Sequence, residues 1–130
     1  MKWLQNIPLA NGLTVEVWDL SRPIAADTQK VELLFRARVP LKPEDFPSPD
    51  DCEMTRKAFG TEPVWESRKA KSFVPGSETA RVSGEFLEDF RRDLLPYLSR
   101  SSFPRSFSLS KSREILKDPC RFRKTPKEKK

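Results

Sequence analysis

The sequence predicts an α+β fold, an antiparallel meander of three or four strands packed against one main C-terminal helix. Three observations carry this. Leu13, Val15 and Val17, and then Val31 to Leu41, alternate with polar residues, the period of a half-buried strand. Phe86, Leu87, Phe90, Leu94 and Leu98 recur at spacings of one, three and four, the stripe of an amphipathic helix. The connections are short, so elements adjacent in sequence should pack together in two layers.

Taken in order, the runs 3–9 and 13–20 flank Ala10-Asn11-Gly12. Asn-Gly between apolar runs predicts a tight hairpin, with both turn positions at positive φ. A polar loop is expected from Asp19 to Lys30. Over 31–41, Val31, Leu33, Phe35, Ala37, Val39 and Leu41 share one face, and Glu32, Arg36 and Arg38 the other, with Leu34 out of pattern. Pro40 and Pro43 end the strand, because proline has no donor for the ladder. Residues 42–61 are acidic and proline-rich and read as a long loop, with one helical turn near Glu53–Phe59 ended by Gly60. Residues 63–74 read as a further strand in which Trp65 and Phe73 share parity with Ser67, Lys69 and Lys71. Its lysines suit an edge strand, where charge discourages pairing with another sheet.

Pro75-Gly76-Ser77 predicts a turn. The main helix follows over 78–95, unless Gly84 weakens its first turns and Ser83 becomes the N-cap. Arg81–Glu85 and Glu88–Arg92 stand four apart as weak ion pairs, and Pro96 ends or kinks the helix. Phe103, Phe107 and Leu109 suggest a short extended piece. Ser110–Lys117 suggests a short last helix stopped by Pro119.

A chain of 130 residues suits one domain. Its apolar fraction of 36% and charged fraction of 34% describe a small core under a solvated surface. The expected organisation is one domain over 1–120 and a basic, disordered tail over 121–130. Arg121, Arg123, Lys124, Lys127, Lys129 and Lys130 face only Glu128 there, so the tail holds +5 of the net charge of +6. Residues 1–120 are nearly neutral.

The two cysteines, Cys52 and Cys120, form neither a disulfide framework nor a zinc motif. Two free thiols in a reducing compartment is the simplest reading, with a single Cys52–Cys120 bridge as the other. Gln5, Asn6 and Pro8 interrupt any signal-peptide core, and no run reaches the length of a membrane span. A cytoplasmic, bacterial-style protein is expected.

The candidate partner-binding residues are basic. The tail, Arg121, Phe122, Arg123, Lys124, Lys127, Lys129 and Lys130, could neutralise phosphates, an anionic membrane or an acidic protein, with Phe122 stacking or inserting. Its plain reading is a solubilising terminus. Arg36 and Arg38 lie on the face opposite the core, Lys69 and Lys71 share a face on another strand, and the four would form a basic patch on an open sheet if those strands are neighbours. With Trp18 on the same outward parity, such a face would suit single-stranded nucleic acid; a merely solvated face is the simpler alternative.

Chemistry has little support. The chain lacks histidine, which removes Ser-His and Cys-His nucleophile pairs, and its four glycines form no phosphate loop. Asp50-Asp51-Cys52-Glu53 lacks the ligand spacing of a calcium loop. Glu85, Asp89 and Asp93 read as a solvated helix face. No catalytic residue, cofactor or metal is expected.

Asp19-Leu20-Ser21-Arg22-Pro23, taken with Arg36 and Arg38, superficially resembles the Asp-x-Ser and paired-arginine elements of PilZ cyclic-dinucleotide receptors. The two elements run in the opposite order here, and the glycine after the serine is missing. The local alternative is a turn fixed by the Asp19 and Ser21 side chains. More broadly, Leu9-Ala-Asn-Gly-Leu-Thr-Val through Trp18-Asp-Leu-Ser-Arg-Pro, with Leu94-Leu-Pro-Tyr-Leu-Ser and Phe103-Pro-Arg, resembles a group of uncharacterised small bacterial proteins. That resemblance spans roughly 9–120 and implies a self-standing cytoplasmic domain without a known activity. The leading expectation is therefore a non-enzymatic interaction or adaptor domain whose tail attaches to an acidic protein partner. The runner-up is a nucleic-acid-associated protein using the tail and the Arg36/Arg38 face.

Overall fold

A computed structural model describes residues 1–117, so Cys120 and the tail 121–130 lie outside the described residues. The fold is α+β, with a five-stranded antiparallel sheet and four helices among those residues. They divide into two compact units. The first joins Met1–Arg38 to Val64–Ser101, and the second joins Val39–Pro63 to the described residues from 102 to 117.

The first unit contains the whole sheet: β1 (Lys2–Pro8), β2 (Thr14–Asp19), β3 (Arg22–Ala25), β4 (Thr28–Arg38) and β5 (Val64–Pro75). β4 is the centre. It pairs with β2 and β3 along one side and with β5 along the other, and β1 closes the β2 side. The Asn11-Gly12 hairpin forms, but only Gly12 has positive φ, at 91°. Leu9 N–H donates to Leu13 O and Gly12 N–H to Leu9 O, so the turn carries a single left-handed residue instead of the expected two. Asn11 is used differently. Its amide donates to Leu98 O at 2.7 Å and Arg100 O at 2.8 Å, tying the hairpin to the end of α3 (Leu95–Leu98).

The core lies between the sheet and α2 (Thr79–Asp93). Val15, Val17, Leu33, Phe35 and Ala37 are buried on the sheet's inner face, and the Phe90 ring stacks on Phe35 with centroids 4.2 Å apart. Val31, Val74 and Val82 form a second buried cluster under Phe86. The helix starts at Thr79 and runs through Gly84. Ser83 is therefore an interior residue, and burial of the apolar stripe outweighs the glycine's cost.

Two differences from the expected sheet have local causes. The segment expected as a polar loop contains β3, paired Arg22↔Lys30 and Pro23↔Gln29. All four of its residues are exposed, so it buries no face that alternation could reveal. In β5 the register slips where Lys30 of β4 meets Ser72 and Phe73. Phe73 sits there at φ 58°, 69% exposed, a bulge that removes it from the parity of Trp65 and Lys69.

The second unit contains α1 (Pro49–Phe59) and α4 (Phe103–Lys117). α1 replaces most of the expected loop. Ser48 caps it by accepting from Asp51 N–H at 3.2 Å, Pro49 opens it with a φ already suited to a helix, and Gly60 ends it at φ 85°. The expected extended piece at 103–109 is instead the first half of α4. Phe103, Ser108, Ser112 and Ile115 are its buried residues, spaced by five, four and three. Two of the four are serines, so the stripe is nearly invisible to hydropathy. Lys111 Nζ lies 4.9 Å from the Phe59 ring centroid and 5.3 Å from that of Phe107.

Exposed ion pairs decorate the helices. Arg56 bonds Glu53, Arg81 bonds Glu78, and Arg92 bonds Asp93. Each guanidinium holds its carboxylate partner below the ordinary carboxylate range by hydrogen bonding. With folded pKa values lowered, these pairs favour the fold at neutral pH, and the contribution fades as pH falls through the lowered values. Solvent screening at these exposed pairs keeps each contribution small.

Candidate functional site

The outer face of the sheet, opposite α2, collects the residues that sequence parity marks as outward. β2 contributes Glu16 and Trp18, and β4 contributes Glu32, Leu34, Arg36 and Arg38. The β2–β4 register sets Glu16 opposite Arg36 and Trp18 opposite Leu34. β5 adds Glu66 opposite Arg36, Arg68 opposite Leu34 and Ala70 opposite Glu32. β1 adds Trp3 opposite Trp18 and Asn6 opposite Glu16. Leu34 is buried although it faces outward. Its flanking neighbours are Trp18 and Arg68, long side chains whose apolar parts can cover it while their polar ends stay wet.

Charge on this face is paired across strands. Arg38 meets Glu16 at 3.3 Å and Arg36 meets Glu66 at 3.5 Å. Glu32, only 7% exposed, is approached by Arg68 at 3.5 Å and by Arg22 and Lys30 at 3.7 Å each. One buried carboxylate thus gathers three cations from three strands. Its own backbone is fixed as well, with Glu32 N–H donating to Ser21 Oγ and Glu32 O accepting from Leu20 N–H.

Trp3 is 52% exposed and lies beside Trp18 across the β1–β2 pair. Its indole N–H donates to Asn6 Oδ1, and that of Trp18 donates to Glu16 Oε1. Both indoles therefore have their N–H groups satisfied by nearby side chains of their own strands.

Among the described residues, the four strand bases picked out in the sequence do not converge. β4 and β5 are neighbours, but Lys69 and Lys71 stand opposite Leu33 and Val31, on the inner parity. Lys69 reaches Asp89 of α2 at 4.0 Å. Arg36 and Arg38 occupy the other face. The tail residues Arg121, Phe122, Arg123, Lys124, Lys127, Lys129 and Lys130 lie outside the described residues. Sequence reasoning missed Arg22, Arg68 and Glu32 as a cluster, since their convergence depends on two strand registers that no local pattern encodes.

Asp19 and Ser21 behave as a turn. Asp19 Oδ1 accepts from Ser21 N–H at 2.8 Å, and the Ser21 hydroxyl is engaged by Glu32 N–H. Both polar groups are thus used locally. Among the described residues, no group of three Cys, Asp or Glu side chains is placed to hold a metal ion. Cys52 is a buried free thiol, and the Cys52–Cys120 bridge falls outside what those residues describe. No helix among them is long and apolar enough to cross a membrane.

No family model, curated protein or solved structure matches the chain.

Proposed function

We propose that this chain is a non-enzymatic interaction module that docks an acidic protein partner on the open face of its sheet. The observation that carries the reading is Trp3, half exposed beside Trp18, on a face whose Arg36 and Arg38 are already countered by glutamates. Trp and Arg dominate the energetics of protein interfaces when they sit together at the centre of a patch. Arg22 and Arg68, each more than half exposed, rim the patch and would meet partner carboxylates. The basic tail would add long-range attraction, speeding encounter more than tightening the complex. The setting we assign is the bacterial cytoplasm, where Cys52 stays a thiol.

A nucleic-acid role finds less support in this arrangement. Phosphate binding needs bases in a continuous track. Here Glu16, Glu32 and Glu66 are interleaved with the arginines, and Lys69 and Lys71 are on the other side of the sheet.

The test is affinity capture with the full chain, before and after nuclease treatment, against a Trp3→Ala variant of unchanged melting temperature. Trp3→Ala should weaken the captured protein complex by about 2 kcal/mol, roughly thirtyfold. Capture that is indifferent to Trp3, or that nuclease abolishes, would overturn the reading.

A further inference from the structure

We propose that the free edge of β5 pairs, antiparallel, with the same edge of a second copy of this chain, with Ser67 on the two-fold axis. β5 is an edge strand: it pairs with β4, and no strand among the described residues pairs with its other side. Such an edge presents unpaired backbone donors and acceptors. From Val64 to Lys71 it is extended and in continuous register from Val31 to Arg38 of β4. Beyond that, the Phe73 bulge, with its left-handed backbone, ends the stretch that could pair.

Charge selects the register. A two-fold pairing that keeps both sheets facing the same way sets one residue against its own copy. With Glu66, Arg68 or Lys69 on the axis, like charges would meet directly, which is destabilising in a cross-strand pair. With Ser67 on the axis, Glu66 falls opposite Arg68 of the other copy, and this happens twice by symmetry. Trp65 falls opposite Lys69, again twice, a cation–π geometry, and Val64 falls opposite Ala70. Glu66 and Arg68 are 41% and 55% exposed at their side chains, so each has room for a second partner beyond its own chain. Among registers that pair at least five residues of 64–71, the charges of β5 thus admit one self-complementary alignment. Glu66 and Arg68 border the outer face, but the pairing uses neither Trp3 nor Trp18, so this inference does not rest on the docking role.

The experiment is sedimentation velocity of the full chain from micromolar to millimolar concentration, at low and high salt. A reversible dimer that weakens with salt is expected. Glu66→Arg should weaken it about tenfold, and the swap Glu66→Arg with Arg68→Glu should restore it, with thermal melts confirming that both variants fold. In a Cys120→Ser background, Ser67→Cys should form an intermolecular disulfide in a glutathione buffer much faster than Ala70→Cys, because only position 67 meets itself. A chain that stays monomeric to millimolar concentration, a dimer unmoved by Glu66→Arg, or equal cross-linking at 67 and 70 would overturn the proposal.

Discussion

Replacing Phe90 by alanine is expected to lower the unfolding free energy by about 3–5 kcal/mol, the range for removing a buried aromatic ring. Phe90 has no exposed surface, and its ring lies parallel to Phe35 within 3°. The stack joins the last turn of α2 to β4, the strand that pairs with β2, β3 and β5. Its loss would leave a cavity where helix and sheet meet. Phe90→Leu refills part of that space and should cost about half as much. Leu116→Ala, at a well-exposed position of α4, should stay within about 0.5 kcal/mol. Urea denaturation checks all three. A cost for Phe90→Ala near that of Leu116→Ala would mean that α2 is not seated on the sheet as described.

Reversing charge at Glu32 is expected to be nearly as damaging. Glu32→Lys puts a fourth cation at a buried position already approached by Arg22, Lys30 and Arg68. Leaving a buried charge uncompensated costs about 3 kcal/mol or more, moderated here because Arg22 and Arg68 are largely exposed and can turn toward water. Glu32→Gln keeps the shape and one acceptor and should cost about 1 kcal/mol. Added salt should recover part of the loss in the Lys variant by screening the repulsion. Denaturation at low and high ionic strength separates the two variants. Equal losses for Gln and Lys would show that the three cations do not depend on this carboxylate.

The parts of the fold that were legible are those with one face buried. Leu13, Val15 and Val17 alternate because β2 has α2's side as its core and solvent on the other. Val31 to Ala37 alternate for the same reason, and Leu34 breaks the pattern only because Trp18 and Arg68 flank it on the outer face. β3 was hidden because all four of its residues are exposed. α1 was hidden behind its prolines, although Ser48-Pro49-Asp50-Asp51 is a complete helix start, with cap, first-position proline and acids in the first turn. In α4, buried serines replaced the apolar residues that would mark a helix, and Phe103, Phe107 and Leu109 imitated a strand.

The outer face of the sheet was legible only by halves. Parity alone assigned Arg36, Arg38 and Trp18 to the outside. Their partners Glu16, Glu66, Arg68 and Trp3 come from three other strands, and which meets which is decided by register. The β1–β2 pairing even contains a slip between Trp3 and Gln5, and it is after this slip that Trp3 comes opposite Trp18. The basic patch failed to assemble for the same reason. Lys69 and Lys71 are neighbours of β4 in space, but the register turns them to the helix side.

The claim that the open face interleaves its cations with glutamates and takes a protein instead of a nucleic acid is tested most directly by fluorescence anisotropy with labelled single-stranded RNA. Residues 1–130 are compared with residues 1–120 across a salt titration. The expected result is weak binding by the full chain, with a log–log salt slope no steeper than about −4, and none by 1–120 at physiological salt. Binding by 1–120 that survives physiological salt and falls on substitution of Arg36 and Arg38 would contradict the account and place a nucleic-acid site on the sheet.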